Sequence, residues 1–201
     1  MVRRLAERSL RTTFGVWREI LYYDGHDQAI VLVHGDVEGA ADVPCRVHSD
    51  CISAHVFNSV ECDCREQLIS AQIFIKEHGR GVIVWLDQDG RGNGHMALML
   101  AADLAERESI PQTEAYVRLG YAADRRTYHG AAAVLHDLGV GSVLLLSDSP
   151  DKAKGLRDRD VTVSGTHSVA VDLEEHPALR PYYEDKLARG YTIGALNREG
   201  V

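Results

Sequence analysis

The chain reads as an α/β protein: a mixed sheet flanked by helices and entered through an N-terminal antiparallel hairpin. Three observations predict this. From residue 64 onward, short apolar runs alternate with stretches of helical period, as strand–helix–strand units do. Before that, two apolar runs at 17–23 and 28–34 are separated by D-G-H-D, a hairpin signal. No internal repeat and no Gly/Ser- or Pro-rich linker divides the 201 residues, so a single domain is expected.

Taken in order, residues 1–16 are polar and read as a flexible start, which leaves 17–195 for the domain. W-R-E-I-L-Y-Y (17–23) and Q-A-I-V-L-V-H (28–34) are the hairpin strands, and 35–42 is a loop. V-P-C-R-V-H (43–48) is a short strand that delivers the segment around Cys51. Between Cys64 and His78, Leu68, Ala71 and Ile75 recur at helical spacing, and Gly79 ends the run. G-V-I-V-W-L (81–86) is a buried strand, 94–106 a helix, and 109–124 loop-like. A helix is expected over 126–138, closed by Gly139. S-V-L-L-L-S (142–147) is a strand of the parallel type. Pro150 opens a helix with Ser149 as its N-cap. V-T-V (161–163) reads as a strand, and 179–189 as a helix with Pro181 in its first turn and Gly190 at its stop.

Hydrophobic content of 45% and charged content of 26% are ordinary for a globular protein able to bury a core. No apolar run approaches the roughly 20 residues of a membrane helix. The start, M-V-R-R-L-A-E-R, is basic but lacks the apolar core of a signal peptide, so a cytosolic protein with reduced thiols is expected. A net charge of −8 argues against a nucleic-acid surface; an anionic ligand would need a local basic site.

Three of the four cysteines fall in R-V-H-S-D-C-I-S-A-H-V-F-N-S-V-E-C-D-C (46–64). Cys62 and Cys64 are two apart and would diverge on one helix, so they belong to a turn ahead of the helix over 67–76, whose N-terminus favours thiolate. Three thiolates without a fourth ligand suit an open zinc site. Buried small side chains or a disulfide also fit the spacing, which does not choose among them.

The surrounding residues choose. R-V-H-S-D-C, E-C-D-C-R-E-Q-L, D-Q-D-G-R-G-N-G and L-G-Y-A-A-D-R-R resemble, in order and spacing, GTP cyclohydrolase II, the zinc enzyme that opens the riboflavin pathway. The resemblance runs from about Tyr22 to about Tyr191. It implies zinc on Cys51, Cys62 and Cys64 with water at the open corner. It further implies Asp124 as proton acceptor and Arg126 as nucleophile on the α-phosphate of GTP. A guanidinium stays protonated, so a phosphate clamp is the chemically milder role for Arg126.

The family's substrate positions fall on Arg46, Val47, His48, Ser49, Asp50, Gln67, Asp89, Gly90, Arg91, Gln112, Ser147 and Lys152. Mg²⁺ is expected with the phosphates. A homodimer is implied, without the fused domain of the bifunctional bacterial forms. Cys45 has no counterpart in the pattern and is expected in the core. Gly92 and Gly94 are expected to let backbone approach the ligand closely.

The pattern also breaks. The family's catalytic tyrosine falls on Ala102, Asp87 replaces a basic residue, Ala54 and His55 stand for Gly-Asp, and Gln112 stands for threonine beside Thr113. Asp148 and Asp151 add negative charge next to any phosphate at Ser147 and Lys152. A diverged enzyme that stops at the formamidopyrimidine nucleotide, or acts on another purine nucleotide, is one alternative. A non-catalytic nucleotide binder with structural zinc is another.

Overall fold

The computed structural model describes residues 2–169, 171, 174 and 176–191; positions 170, 172, 173, 175 and 192–195 of the expected domain lie outside these. Among the described residues, seven strands form one sheet in the order β1-β2-β3-β5-β4-β6-β7. β2 (Gly15–Tyr23) and β3 (Gln28–His34) are the expected antiparallel hairpin. β4 (Val43–Ser49) lies at the centre, parallel to β5 (Gly81–Leu86) on one side and β6 (Val143–Leu146) on the other; β7 (Val163–His167) continues beyond β6. The joint between β3 and β5 is antiparallel, so the sheet is mixed.

The central strands are buried on both faces, which is why β5 and β6 read as continuous apolar runs, while β4 breaks the run with buried Arg46 and His48. β4 is buried from Val43 to His48, with Cys45 and Val47 in the main core. The helices are α1 (Ile52–His55), α2 (Cys64–His78), α3 (His95–Glu108), α4 (Gln112–Arg118), α5 (His129–Asp137), α6 (Pro150–Arg157) and α7 (Arg180–Ala188). α5 buries five of its nine residues, Gly130 to Ala132 with Val134 and Leu135, in the main core. α2 packs Ala71 and Ile75 against Ile83 and Trp17 in a second cluster.

Four local expectations are corrected. The start of the chain is a strand: β1 (Arg3–Thr12) pairs with β2 through a turn at Gly15, whose φ of 122° suits glycine. Its sequence shows no apolar face because the strand is a solvent-facing edge, held by its backbone ladder and by ion pairs such as Arg4 with Asp137. The stretch 109–124 contains α4, which buries only Ala115 and Tyr116 and so leaves too short a periodic signal. α5 begins at His129, three residues late, because Arg125 N is bonded to Arg91 O and Arg126 to Asp124 in the preceding loop. The last strand sits at 163–167, not 161–163. Ser149 occupies the N-cap of α6 without a side-chain cap bond.

Candidate active site

The carboxyl ends of the parallel strands open into one cavity of about 270 Å³. This is where parallel strands gather a ligand, because β4, β5 and β6 each hand the chain to a loop at the same edge. β4 supplies Arg46, His48, Ser49 and, just past its end, Asp50 and Cys51. The turn after β5 supplies Gln88 to Arg91, the turn after β6 supplies Ser147 and Asp148, and the first turn of α6 supplies Lys152.

Cys51, at the N-cap of α1, meets Cys62 and Cys64 at the start of α2. The three Sγ atoms lie within 4.8 Å of one another, and Cys51 and Cys62 are 3.7 Å apart. A tetrahedron with bonds of about 2.3 Å has edges of about 3.8 Å, so the spacing fits three corners of a zinc-type site. The charges agree. Hydrogen bonds from Cys62 and Cys64 push the Cys51 thiol down to about 4, and sharing with that thiolate pushes the other two up, Cys64 to about 11. Three thiols this close cannot all ionise without a cation between them. Cys45 is apart from them in the core, where burial pushes it up to about 12.

Behind the thiols stands a buried polar chain. Arg46 donates to Leu146 O at 2.8 Å, and to the side chain of Gln67. Gln67 donates to Asp63 at 2.7 Å. Asp63, between the two α2 cysteines and fully buried, also accepts from Tyr183 at 2.6 Å and from Lys186 at 2.9 Å. Both ends of Gln67 are therefore occupied by supporting contacts. His48 is buried with Nε2 3.0 Å from that of His55; burial, then Arg46 and Lys152, lower its pKa well below the usual range, so it is neutral. Lys152 donates to Val47 O at 2.8 Å, and burial holds its pKa well below the usual value.

The D-G-R turn and the A-A-D-R-R loop are locked together. Asp89 accepts from Gly90 N at 2.8 Å and lies 2.7 Å from His95 Nδ1. Arg91, at φ 56°, donates to Thr113 and, at 3.0 Å, to Asp185. Gly92 approaches the loop backbone rather than a ligand: a Cβ there would lie 3.0 Å from Arg125 C and 3.1 Å from Arg126 N. At Gly94 an added Cβ would meet nothing within 4 Å, so no close approach there calls for glycine beyond its φ of 90°. Asp124 accepts twice from Arg126 Nε, at 3.0 and 3.2 Å, and from Arg189 at 3.3 Å. Burial alone would raise the Asp124 pKa, but the bonds and charge of Arg126 outweigh it and hold the carboxyl below its usual range. Burial likewise opposes charge on Arg126, and the bond to Asp124 overcomes it, so the guanidinium stays protonated.

Most of the expected residues line the cavity, including Gln112 and Arg126. Two do not: Val47 turns its side chain into the core and offers only its carbonyl, and Asp124 braces Arg126 from behind. Sequence reasoning missed the contribution of α7, which sends Tyr182 and Lys186 to the lining, and of Arg189 at its C-cap. Six Lys and Arg side chains line the cavity against four carboxylates, a local basic site in an acidic chain. Ser49 Oγ, Gln88 Oε1 and Tyr116 OH, all on this lining, are buried without hydrogen-bond partners among the described residues, as a site built for a polar ligand requires.

A mixed sheet whose strand ends gather three thiols and six cations around one cavity defines an α/β protein suited to hold a metal ion beside an anionic ligand. The GTP cyclohydrolase II family model matches residues 3–168. The chain belongs to the GTP cyclohydrolase II family and, with it, to the hydrolases. It is 36% identical over 191 residues to the riboflavin biosynthesis protein RibBA of Bacillus mycoides, covering 94% of this chain and 47% of that protein. It is 36% identical over 197 residues to RibBA of Salinispora tropica, covering 96% and 48%. To RibBA of Bacillus cereus it is 40% identical over 165 residues, covering 81% and 41%. The chain thus spans about half the length of the curated relatives it matches. Among solved structures, the two-domain 3,4-dihydroxy-2-butanone 4-phosphate synthase RibBX of A. baumannii aligns at a TM-score of 0.45 and 22% identity, covering 85% of this chain and 40% of that one. No helix among the described residues is long and apolar enough to cross a membrane.

Proposed function

We propose that this chain opens the imidazole ring of GTP by hydrolysis at C8, releasing formate and pyrophosphate and leaving 2,5-diamino-6-ribosylamino-pyrimidinone phosphate. The observation that carries the reading is the convergence of Cys51, Cys62 and Cys64 on one wall of a cation-lined cavity. Zinc held by these thiolates supplies a Lewis acid that makes water nucleophilic near neutral pH.

The chain's own residues do the rest. Arg46, His48, Ser49 and Asp50 hold the nucleotide beside the thiols, and neutral His48 can accept as well as donate. Arg91, Lys152, Lys186 and Arg189 meet the phosphates. Lys152, its pKa lowered by burial, regains its full charge when a phosphate supplies the missing counter-ion. Arg126 clamps phosphate charge with a fixed guanidinium rather than attacking it, since Asp124 keeps it protonated; a water oxygen bonds to the α-phosphorus as the bond to pyrophosphate breaks. Asp124, ionised at neutral pH but set behind Arg126 and off the cavity lining, aims that guanidinium rather than taking a proton from the ligand directly. Magnesium is expected to arrive on the nucleotide. Among the described residues, only the three cysteines form a metal-ready group of three or more His, Cys, Asp or Glu side chains. The family resemblance makes a homodimer in the cytosol the expected working form.

A second reading is favoured by Ala102, which lines the cavity where a tyrosine is the family pattern. Without a hydroxyl there, the reaction would stop at the formamide. Mass spectrometry of the products from GTP tests both readings. Loss of the C8 carbon supports the full reaction, a product that keeps C8 and adds one water across the ring, with or without loss of pyrophosphate, supports the formamide, and unchanged GTP rejects both.

A further inference from the structure

Tyr116, on α4, is fully buried, yet its hydroxyl has no hydrogen-bond partner among the described residues. It lines the cavity, and a Cβ on Gly90 would lie 3.4 Å from its oxygen, so it sits over the D-G-R turn. A buried, unpaired hydroxyl is destabilising unless a ligand completes it. Burial pushes the phenol up to about 12, so it carries its proton across the neutral range.

The cationic donors of the lining already have protein partners, whereas the Tyr116 hydroxyl has none among the described residues. Arg91 is held by Thr113 and Asp185, Arg126 by Asp124, Lys152 by Val47 O and Lys186 by Asp63. Ala102 faces the same cavity from α3 and has no proton to give.

We propose that Tyr116 is the proton donor to the bound purine during hydrolysis of the ring-opened formamide; this rests on the C8 hydrolysis proposed above. In that step water's oxygen bonds to the formyl carbon and the carbon–nitrogen bond breaks, its electron pair going to nitrogen. The phenol proton goes to that nitrogen, and the phenolate recovers the proton that water loses. The products are the free amine and formic acid, with no redox partner required.

The test is Tyr116→Phe, assayed for GTP consumed, formate released and formamide accumulated. A positioned proton donor contributes about 10²–10⁴-fold, so formate release should fall by at least ~100-fold. Ring opening should persist and the formamide build up. The unliganded variant should melt no lower than wild type, because no internal hydrogen bond is lost. Formate release at the wild-type ratio in the variant, or a wild type that itself stops at the formamide, overturns the assignment while leaving C8 hydrolysis standing. A variant that melts well below wild type and loses both steps alike marks Tyr116 as structural and also overturns it. A wild type that leaves GTP intact overturns the C8 reading and this assignment with it.

Discussion

Lys186 Nζ lies 2.9 Å from Oδ2 of Asp63, the residue between Cys62 and Cys64. This contact ties the last described helix to the thiol turn across 123 positions of sequence, and Asp63 is fully buried. Removing one partner of a buried pair strands the other charge, which costs about 3–5 kcal/mol. Lys186→Met should therefore lower stability by ~3 kcal/mol in denaturant unfolding and weaken metal retention at the adjacent thiols. Unchanged unfolding would show that α7 is not clasped in solution.

Each thiol should be needed for metal. Cys51→Ser, Cys62→Ser and Cys64→Ser should each fall from about one bound zinc per chain to a small fraction of it, while Cys45→Ser should keep it, because Cys45 lies in the core. Elemental analysis after gel filtration reads this directly. Chelation of the wild type should abolish turnover, and added zinc should restore it.

Arg126→Lys keeps the charge but loses the fork that grips Asp124. Turnover should drop by about 10²–10³-fold, the loss typical of one charge-stabilising donor. Steady-state kinetics with GTP would check it, and an effect on KM alone would reassign Arg126 to ground-state binding.

The Asp124–Arg126 pair also makes a pH prediction. The folded Asp124 pKa lies below its unfolded value, so its contribution is present above the ordinary carboxylate pKa and is lost as pH falls through the folded value. The stability gap between wild type and Asp124→Asn should therefore be full near pH 7 and shrink below pH ~4. A gap that instead widens in acid would reverse the assigned sign.

Gly92 permits the contact between the two loops of the site. At φ 80°, with the Arg125–Arg126 backbone 3.0–3.1 Å from any added Cβ, Gly92→Ala should cost ~1–3 kcal/mol and misplace Arg126. Thermal melting and turnover, measured together, should fall together.

Much of this architecture is legible in residue patterns, for identifiable reasons. The central strands announce themselves because both their faces are buried, and the three cysteines because thiol spacing and their neighbours carry chemistry. The edge strand β1 stays hidden because its ladder is backbone and its side chains face water. α4 hides because two buried residues make no period. The role of α7 is invisible because Asp63 and Lys186 meet only through the fold, and no spacing rule links them. Val47 is the opposite case. Alternation along β4 puts Arg46 and His48 on the cavity side and Cys45 and Val47 in the core, so period two alone could have excluded its side chain from the site.

The most direct test of the central claim uses GTP labelled with ¹³C at C8, incubated with the zinc-loaded protein and followed by carbon NMR. The account predicts that the purine C8 resonance disappears and that the label reappears as free formate. Label that remains in an intact purine ring, with the three thiols and zinc in place, would contradict it.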